Sequence, residues 1–269
     1  MTLIVFPQRY LMPHAALRVS GVAPFSPLDL GAKLRTWWDY TDVSNLWQSD
    51  GGAGSVSADT DPVGQVADKS GNAKHLLQAT SGNKPAYRTA GYVQFDGTDD
   101  YLSIASAGFT INSFELFQVF EQHAANTTNG GLYSFAPSSG NDWQSANGLV
   151  TELGSGSLYF EFYSNTAALN IGESGSGNTP KALYETSIIS GTAQAYKNGV
   201  GFGTPDASPG VNATHTGPFI DGCRYLSGAI SPSSSNCGPI RRFETIMTAP
   251  LTSDERTAVR SYLMTRHGL

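Results

Sequence analysis

The acids that could cut a glycosidic bond stand apart in this chain. Retaining hydrolysis of a glycoside wants two carboxyl groups about 5–5.5 Å apart, a spacing that alternate residues of one strand supply. Glu152, Glu161, Glu173 and Glu185 are each isolated among apolar or small residues, and Glu161, between Phe160 and Phe162, has no acid two places away. A pair assembled from separate strands stays open, with Glu152, Glu161 and Glu185 as its candidates. For acyl transfer, the nearest approach to a nucleophile elbow is Gly172-Glu173-Ser174-Gly175-Ser176, which fails at its last position. Gly154-Ser155-Gly156 and Gly199-Val200-Gly201-Phe202-Gly203 lack phosphate-loop spacing and read as turns. His14, His75, His123, His215 and His267 stand too far apart for a zinc site.

Three polar loops hold the remaining chemistry. In Phe95-Asp96-Gly97-Thr98-Asp99-Asp100-Tyr101-Leu102, the Asp96-Gly97 pair turns the chain and the Asp96 carboxylate accepts local backbone N–H groups. Three acids this close repel one another, so the second reading of the same stretch is an oxygen site for Ca²⁺. Asp68-Lys69-Ser70-Gly71-Asn72 is read as an Asx-type turn after a strand, ahead of a ligand site. In Ser138-Ser139-Gly140-Asn141-Asp142-Trp143, an indole next to an amide and a carboxylate has the parts of a sugar site: a ring to stack on C–H groups and planar polar groups to pair with hydroxyls. The plainer reading folds Trp143 into the rim of a sandwich. Cys223 and Cys237 bracket a segment rich in Ser, Gly and Pro, a loop that a disulfide could tie; two separate thiols are the other reading.

The elements that must position these loops are mostly strands. Turn dipeptides recur at short intervals from about residue 45 to 245, the pattern of a sandwich or barrel. Strands are expected near 64–67, 92–96, 101–104, 114–122, 131–135, 148–153, 157–163, 182–189, 193–197, 219–220 and 240–247. Another over 34–40 would carry Leu34, Trp38 and Tyr40 on one side. Asn198-Gly199 predicts a two-residue hairpin. Ser26-Pro27-Leu28-Asp29 has an N-cap, a first-position proline and an acid in the first turn, so a short helical turn should follow and end near Gly31 or Lys33. At the other end, Thr252 and Glu255 form a capping box, Ala258, Val259, Tyr262 and Leu263 make a narrow apolar stripe, and Gly268 offers a left-handed stop. That stripe covers one flank of a sheet and makes no second domain.

With 269 residues, the chain suits one large sandwich. Charged residues make up 14%, well under the roughly 25% of an average soluble domain, and this disfavours coiled coils and disordered tails. A net charge of −6 provides no general field to collect phosphates, so nucleic acid is not expected as a partner. The apolar run of residues 3–6 is cut short by Pro7, Arg9 and Pro13, so neither a secretory leader nor a membrane span is expected there. Residues 1–25 read as an arm and 26–269 as the domain.

Trp37-Trp38-Asp39, Asp68 to Asn72, Phe95 to Leu102 and the ending Leu251 to Leu269 together resemble concanavalin A-like lectin/glucanase jelly rolls of the laminin G/pentraxin kind. A short helix before a Trp-Asp strand, with a final helix ending in Tyr-Leu, a basic residue and Gly-Leu, is similar to domains of bacteriophage virion proteins. The likeness covers roughly residues 26–269. It implies an all-β fold: a two-sheet antiparallel jelly-roll sandwich with a short N-terminal helical turn and a C-terminal helix. In pentraxin-like relatives an Asp/Asn pair in the equivalent loop binds calcium; Asn141 and Asp142 match it in type, in reversed order. Glycanases of the superfamily carry Glu-x-Asp-x-Glu on one strand, and no such triplet occurs here.

These readings lead to a non-enzymatic virion component, placed as capsid decoration, head fibre or tail-associated receptor binder. It would have a lectin-like adhesive surface and no cofactor unless calcium binds. Its expected partners are other virion proteins, met through the arm, and a host-surface glycan; neither nucleic acid nor membrane is expected. It would stand on the virion surface after assembly in the host cytoplasm, as an oligomer that analogy makes a trimer. The alternative is a glycoside hydrolase or depolymerase acting on host-surface polysaccharide.

Overall fold

The computed structural model describes residues 23–110, 113–124, 129–136, 140–142, 149–154, 157–164, 167–173, 179–206 and 214–269, with 157–164 and 167–173 described as backbone. Two large antiparallel sheets carry the fold. In the first, an eight-stranded sheet, the order is Val200–Asp206, Thr192–Lys197, Ala182–Ile189, Phe114–Gln122, Ile240–Thr248, Tyr92–Gln94 and Ala86–Arg88; Leu34–Asp39 also pairs with Ile240–Thr248. The nine-stranded second sheet runs Ala167–Glu173, Ser157–Ser164, Leu149–Gly154, Gly130–Phe135, Phe219–Asp221, Leu102–Ile104, Leu76–Leu77, Gln65–Val66 and Leu46–Trp47. The main core lies between them, where Trp38, Phe114, Leu116 and Phe120 of the first sheet meet Tyr133, Phe135, Leu149 and Phe219 of the second. The expected sandwich is thus present, with its C-terminal helix.

Strand alternation explains a second apolar layer. Along Phe114–Gln122, Phe114, Leu116 and Phe120 face the sandwich interior, while Phe117 and Val119 face outward. Those outward residues, with Leu183 and Ile246, are covered by Val259 and Leu263 of the helix Ser253–His267. The helix starts on the expected capping box of Thr252 and Glu255 and ends at Gly268 in the left-handed conformation. Burying that helix face also buries charge. Glu115, Glu185, Glu244 and Asp39 stand on the same sheet face at 0–1% exposure. They meet Arg256, Arg260 and Arg266 of the helix. The narrow apolar stripe is therefore flanked by ion pairs, which the sequence pattern did not show.

The Trp37-Trp38-Asp39 motif works on both faces. Trp38 enters the core, stacks on Phe219 and donates its indole N–H to the Lys74 carbonyl at 2.7 Å. Trp37 faces the helix layer and donates to Glu244 at 2.7 Å, and Asp39 pairs with Lys69 and Arg266. Leu34 departs from its expected side: it joins Trp37 in the outer layer. The cause is a bulge. Leu34 pairs with Thr248 and Thr36 with Met247, so Arg35 is an extra residue and the alternation slips by one. Residues 198–199 form the expected hairpin turn, with φ of 49° at Asn198 and 79° at Gly199.

Candidate functional site

The structure gives Asp142 and Asn141 partners within the protein. Asp142 is fully buried, and its carboxylate accepts from Arg224 Nη2 at 2.9 Å, from the Ser134 hydroxyl at 2.8 Å and from the Tyr225 backbone N–H at 2.9 Å. Arg224, itself 4% exposed, also pairs with Glu152. A buried guanidinium needs carboxylates to offset its desolvation, and Asp142 supplies one from 82 residues away. Both of its carboxylate oxygens are engaged by these donors. Asn141 caps the adjacent hairpin, its Oδ1 accepting from the Ser227 N–H at 2.7 Å. Trp143 lies outside the described residues. Cys223 and Cys237 form a disulfide next to this cluster, which resolves the two readings left open for them.

At the acidic loop, Asp96 Oδ1 accepts the N–H groups of Thr98 and Asp99, and Gly97 turns the chain at φ 77° with its α-carbon against Pro239. Asp96, Asp99 and Asp100 bring carboxylate oxygens within 4.8 Å of one another. Burial, aided by the neighbouring acids, pushes the Asp100 carboxyl up to about 7, although it accepts the Asp96 N–H. Glu152 and Glu185, two of the three candidate acids for hydrolysis, are in buried ion pairs with Arg224 and Arg260. Burial raises the Glu185 carboxyl above the usual range while Arg260 lowers it. The side chains of Glu161 and Glu173 lie outside the described residues.

Asp68 centres a tighter construction. Its Oδ1 accepts from Trp37 N–H and Ser70 N–H, and its Oδ2 from the Ser70 hydroxyl and the Lys74 N–H, all within 3.0 Å. The turn it closes presents Asn72, whose amide donates to the carbonyls of Leu34 and Arg35, each at 3.0 Å. The turn thus holds the bulge at Arg35 in place, and bulges commonly re-aim a side chain at the edge of a site.

Here a cleft of about 550 Å³ opens. It is lined by Gly31, Ala32, Leu34 and Arg35 on one side, by Ser70, Asn72 and Lys74 of the turn on another, and by Gly108, Phe109 and Thr110 on the third. Gly31 kinks the 3-10 helix Pro27–Lys33 with φ 54°, and a methyl group there would meet nothing, so that rim is open. Arg35 donates to the carbonyls of Thr110 at 2.8 Å and Ser113 at 3.2 Å. Burial lowers its pKa. The Lys74 ammonium reaches the Ser106 carbonyl only at 3.5 Å and stands 5.9 Å from the Phe109 ring centre. Among the described residues, no carboxylate and no histidine lines the cleft. The Asp68 turn was visible in the sequence; the bulge that brings Arg35 to its edge was not.

No family model matches the sequence, and no curated protein matches it. Solved structures do resemble the fold. The binding domain of Paraclostridial Mosquitocidal Protein 1 superposes with a TM-score of 0.56 at 10% identity, over 87% of this chain and 52% of that one. Trypanosoma rangeli sialidase, in complex with 2,3-difluoro-KDN, gives 0.55 at 11% identity, over 85% of this chain and 32% of that one. A GH54 α-L-arabinofuranosidase gives 0.55 at 14% identity, over 88% and 64%. At such identities the likeness shows the sandwich fold alone, and the chain spans about a third of the sialidase and half of the toxin domain.

Proposed function

We propose that this chain is a non-enzymatic, lectin-like glycan-binding domain and that the cleft beside Arg35 is where the saccharide sits. The observation that carries the reading is the composition of that cleft: guanidinium, ammonium, amide and hydroxyl groups around a concave space, with no acid or imidazole among the described lining residues to move a proton. Glycoside hydrolysis needs a carboxyl pair flanking the scissile bond, whereas Glu152 and Glu185 are each held by an arginine. The structural neighbours, a toxin binding domain and two glycosidases, are compatible with a saccharide-handling sandwich. The resemblance of the Trp37-Trp38-Asp39 strand and the Tyr262 to Leu269 ending to phage virion domains is what supports the further part of this proposal, a role on a bacteriophage particle as decoration, head fibre or tail-associated receptor binder.

The test is a glycan array probed with the intact chain, repeated with Ala32→Trp, which fills the exposed rim of the cleft without changing its charge. Binding by the parent and loss in the variant, with no reducing ends released from the bound glycans, is the expected result. Reducing-end release that disappears in Glu152→Gln or Glu185→Gln would replace this reading with a hydrolase.

A further inference from the structure

We infer that the saccharide taken by this cleft is acidic, its carboxylate held between the Arg35 guanidinium and the Lys74 ammonium; the inference rests on the reading that the cleft binds a glycan. Among the described residues, every arginine except Arg35 has a carboxylate partner within ion-pair distance. Arg35 has five N–H donors and gives two hydrogen bonds, both to main-chain carbonyls that carry no net charge. Its guanidinium is half-buried, and among the described residues no carboxylate stands within ion-pair distance to offset the desolvation that the two carbonyls meet only in part. Lys74 is the second cation of the cleft, and among the described residues its ammonium meets the Ser106 carbonyl at 3.5 Å and the Phe109 ring at 5.9 Å, with no carboxylate in ion-pair range.

The surroundings keep the two cations open to a ligand. Gly108, in the left-handed region at φ 64°, stands next to the ammonium: a methyl group on it would lie in ordinary contact with Lys74 Nζ at 3.6 Å. The nearest acid of the turn, Asp68, is saturated by its four donors. In a chain of net charge −6, a cleft lined by two cations and no acid is a local inversion of sign, and planar guanidinium groups match carboxylates in a two-point geometry. A neutral sugar would use the hydroxyl and amide groups of the cleft and leave that inversion unanswered.

The experiment compares, by calorimetric titration into the intact chain, a disaccharide bearing glucuronic acid, the same disaccharide with its carboxyl reduced to the alcohol, and a sulfated neutral disaccharide. The acid form should bind at least about tenfold more tightly than its reduced counterpart. The gap should close in Lys74→Glu and shrink at about 0.5 M salt. Lys74→Gln, which removes the charge and keeps a polar donor, should fall between parent and Lys74→Glu at an unchanged melting temperature. Equal binding of acid and reduced forms would overturn the acidic assignment and leave the glycan reading intact. Preference for the sulfated sugar over the carboxylate would also overturn it, in favour of a sulfate site. If none of the three binds the parent and the array is silent too, the glycan reading itself falls.

Discussion

Replacing Asp142 separates a structural role from a ligand role at the loop that the sequence marked as a sugar site. In Asp142→Ala the Tyr225 N–H and the Ser134 hydroxyl lose their acceptor, at about 1 kcal/mol or more each. Arg224 keeps Glu152 but loses its two-point contact with Asp142. Breaking a buried ion pair costs about 3–5 kcal/mol when one charge is stranded; the second carboxylate moves this case to the low end or below it. The sum is about 4 kcal/mol, a large part of the roughly 5–15 kcal/mol that holds a domain folded. For a chain of this size it corresponds to a fall of about 10 °C in melting temperature. Asp142→Asn keeps a carbonyl acceptor and loses only the charge, so about half that fall is expected. Thermal unfolding followed by circular dichroism measures both, alongside glycan titration of the folded variants. A melting temperature for Asp142→Ala within about 2 °C of the parent, with saccharide binding lost, would refute the structural account and return Asp142 to a ligand site.

Two further outcomes are expected. Because the Asp100 carboxyl is held at about 7 against an ordinary 3.8, the folded state keeps a proton that the unfolded chain has released. Stability therefore falls as pH rises between about 4 and 7, by at most about 4 kcal/mol, and levels off above. Asp100→Asn should flatten that slope in urea denaturation at a series of pH values and leave the chain more stable than the parent at pH 8; an unchanged slope would remove Asp100 as its source. The disulfide between Cys223 and Cys237 closes a short loop, with a sequence separation of 14, so the double replacement Cys223→Ser with Cys237→Ser should cost about 3 kcal/mol. Alkylation of both cysteines in the native chain without reductant would show that the bond is absent.

What the sequence shows and what it hides follow from the range of the interactions involved. The C-terminal helix is legible because its stop and start signals, Thr252 with Glu255 and then Gly268, lie within one or two turns of the backbone they satisfy. Phe114–Gln122 and Ala182–Ile189 are legible because aromatic and aliphatic residues recur along them without a Gly or Pro to break the run. Val200–Asp206 is not, since Gly201, Gly203 and Pro205 disfavour a strand, and an edge position tolerates them. Ala167–Glu173, at the edge of the other sheet, escapes for a similar reason. At the cleft, the Asp68 turn is local and visible, whereas the extra residue at Arg35 exists only relative to Thr248 and Met247 on a distant strand. At Asp142 an exposed ligand and a buried ion-pair partner have the same local spelling, and the Arg224 that it meets lies 82 residues further along the chain.

The distribution of charge is what gives the leftover cations their meaning. Asp39, Glu115, Asp142, Glu152, Glu185, Asp221 and Glu244 are all at most 1% exposed, and each is met by an arginine. An acid withdrawn from water without a partner costs several kcal/mol, so those arginines are accounted for by the acids they accompany. Arg35 accompanies none. Its two carbonyl contacts anchor the strand Phe109–Thr110 and the residue Ser113, a task that a neutral donor such as glutamine performs with less desolvation. A permanent charge placed there, beside a second one at Lys74 and on a bulge braced by Asn72, has no carboxylate partner among the described residues, and the proposed acidic saccharide would supply one.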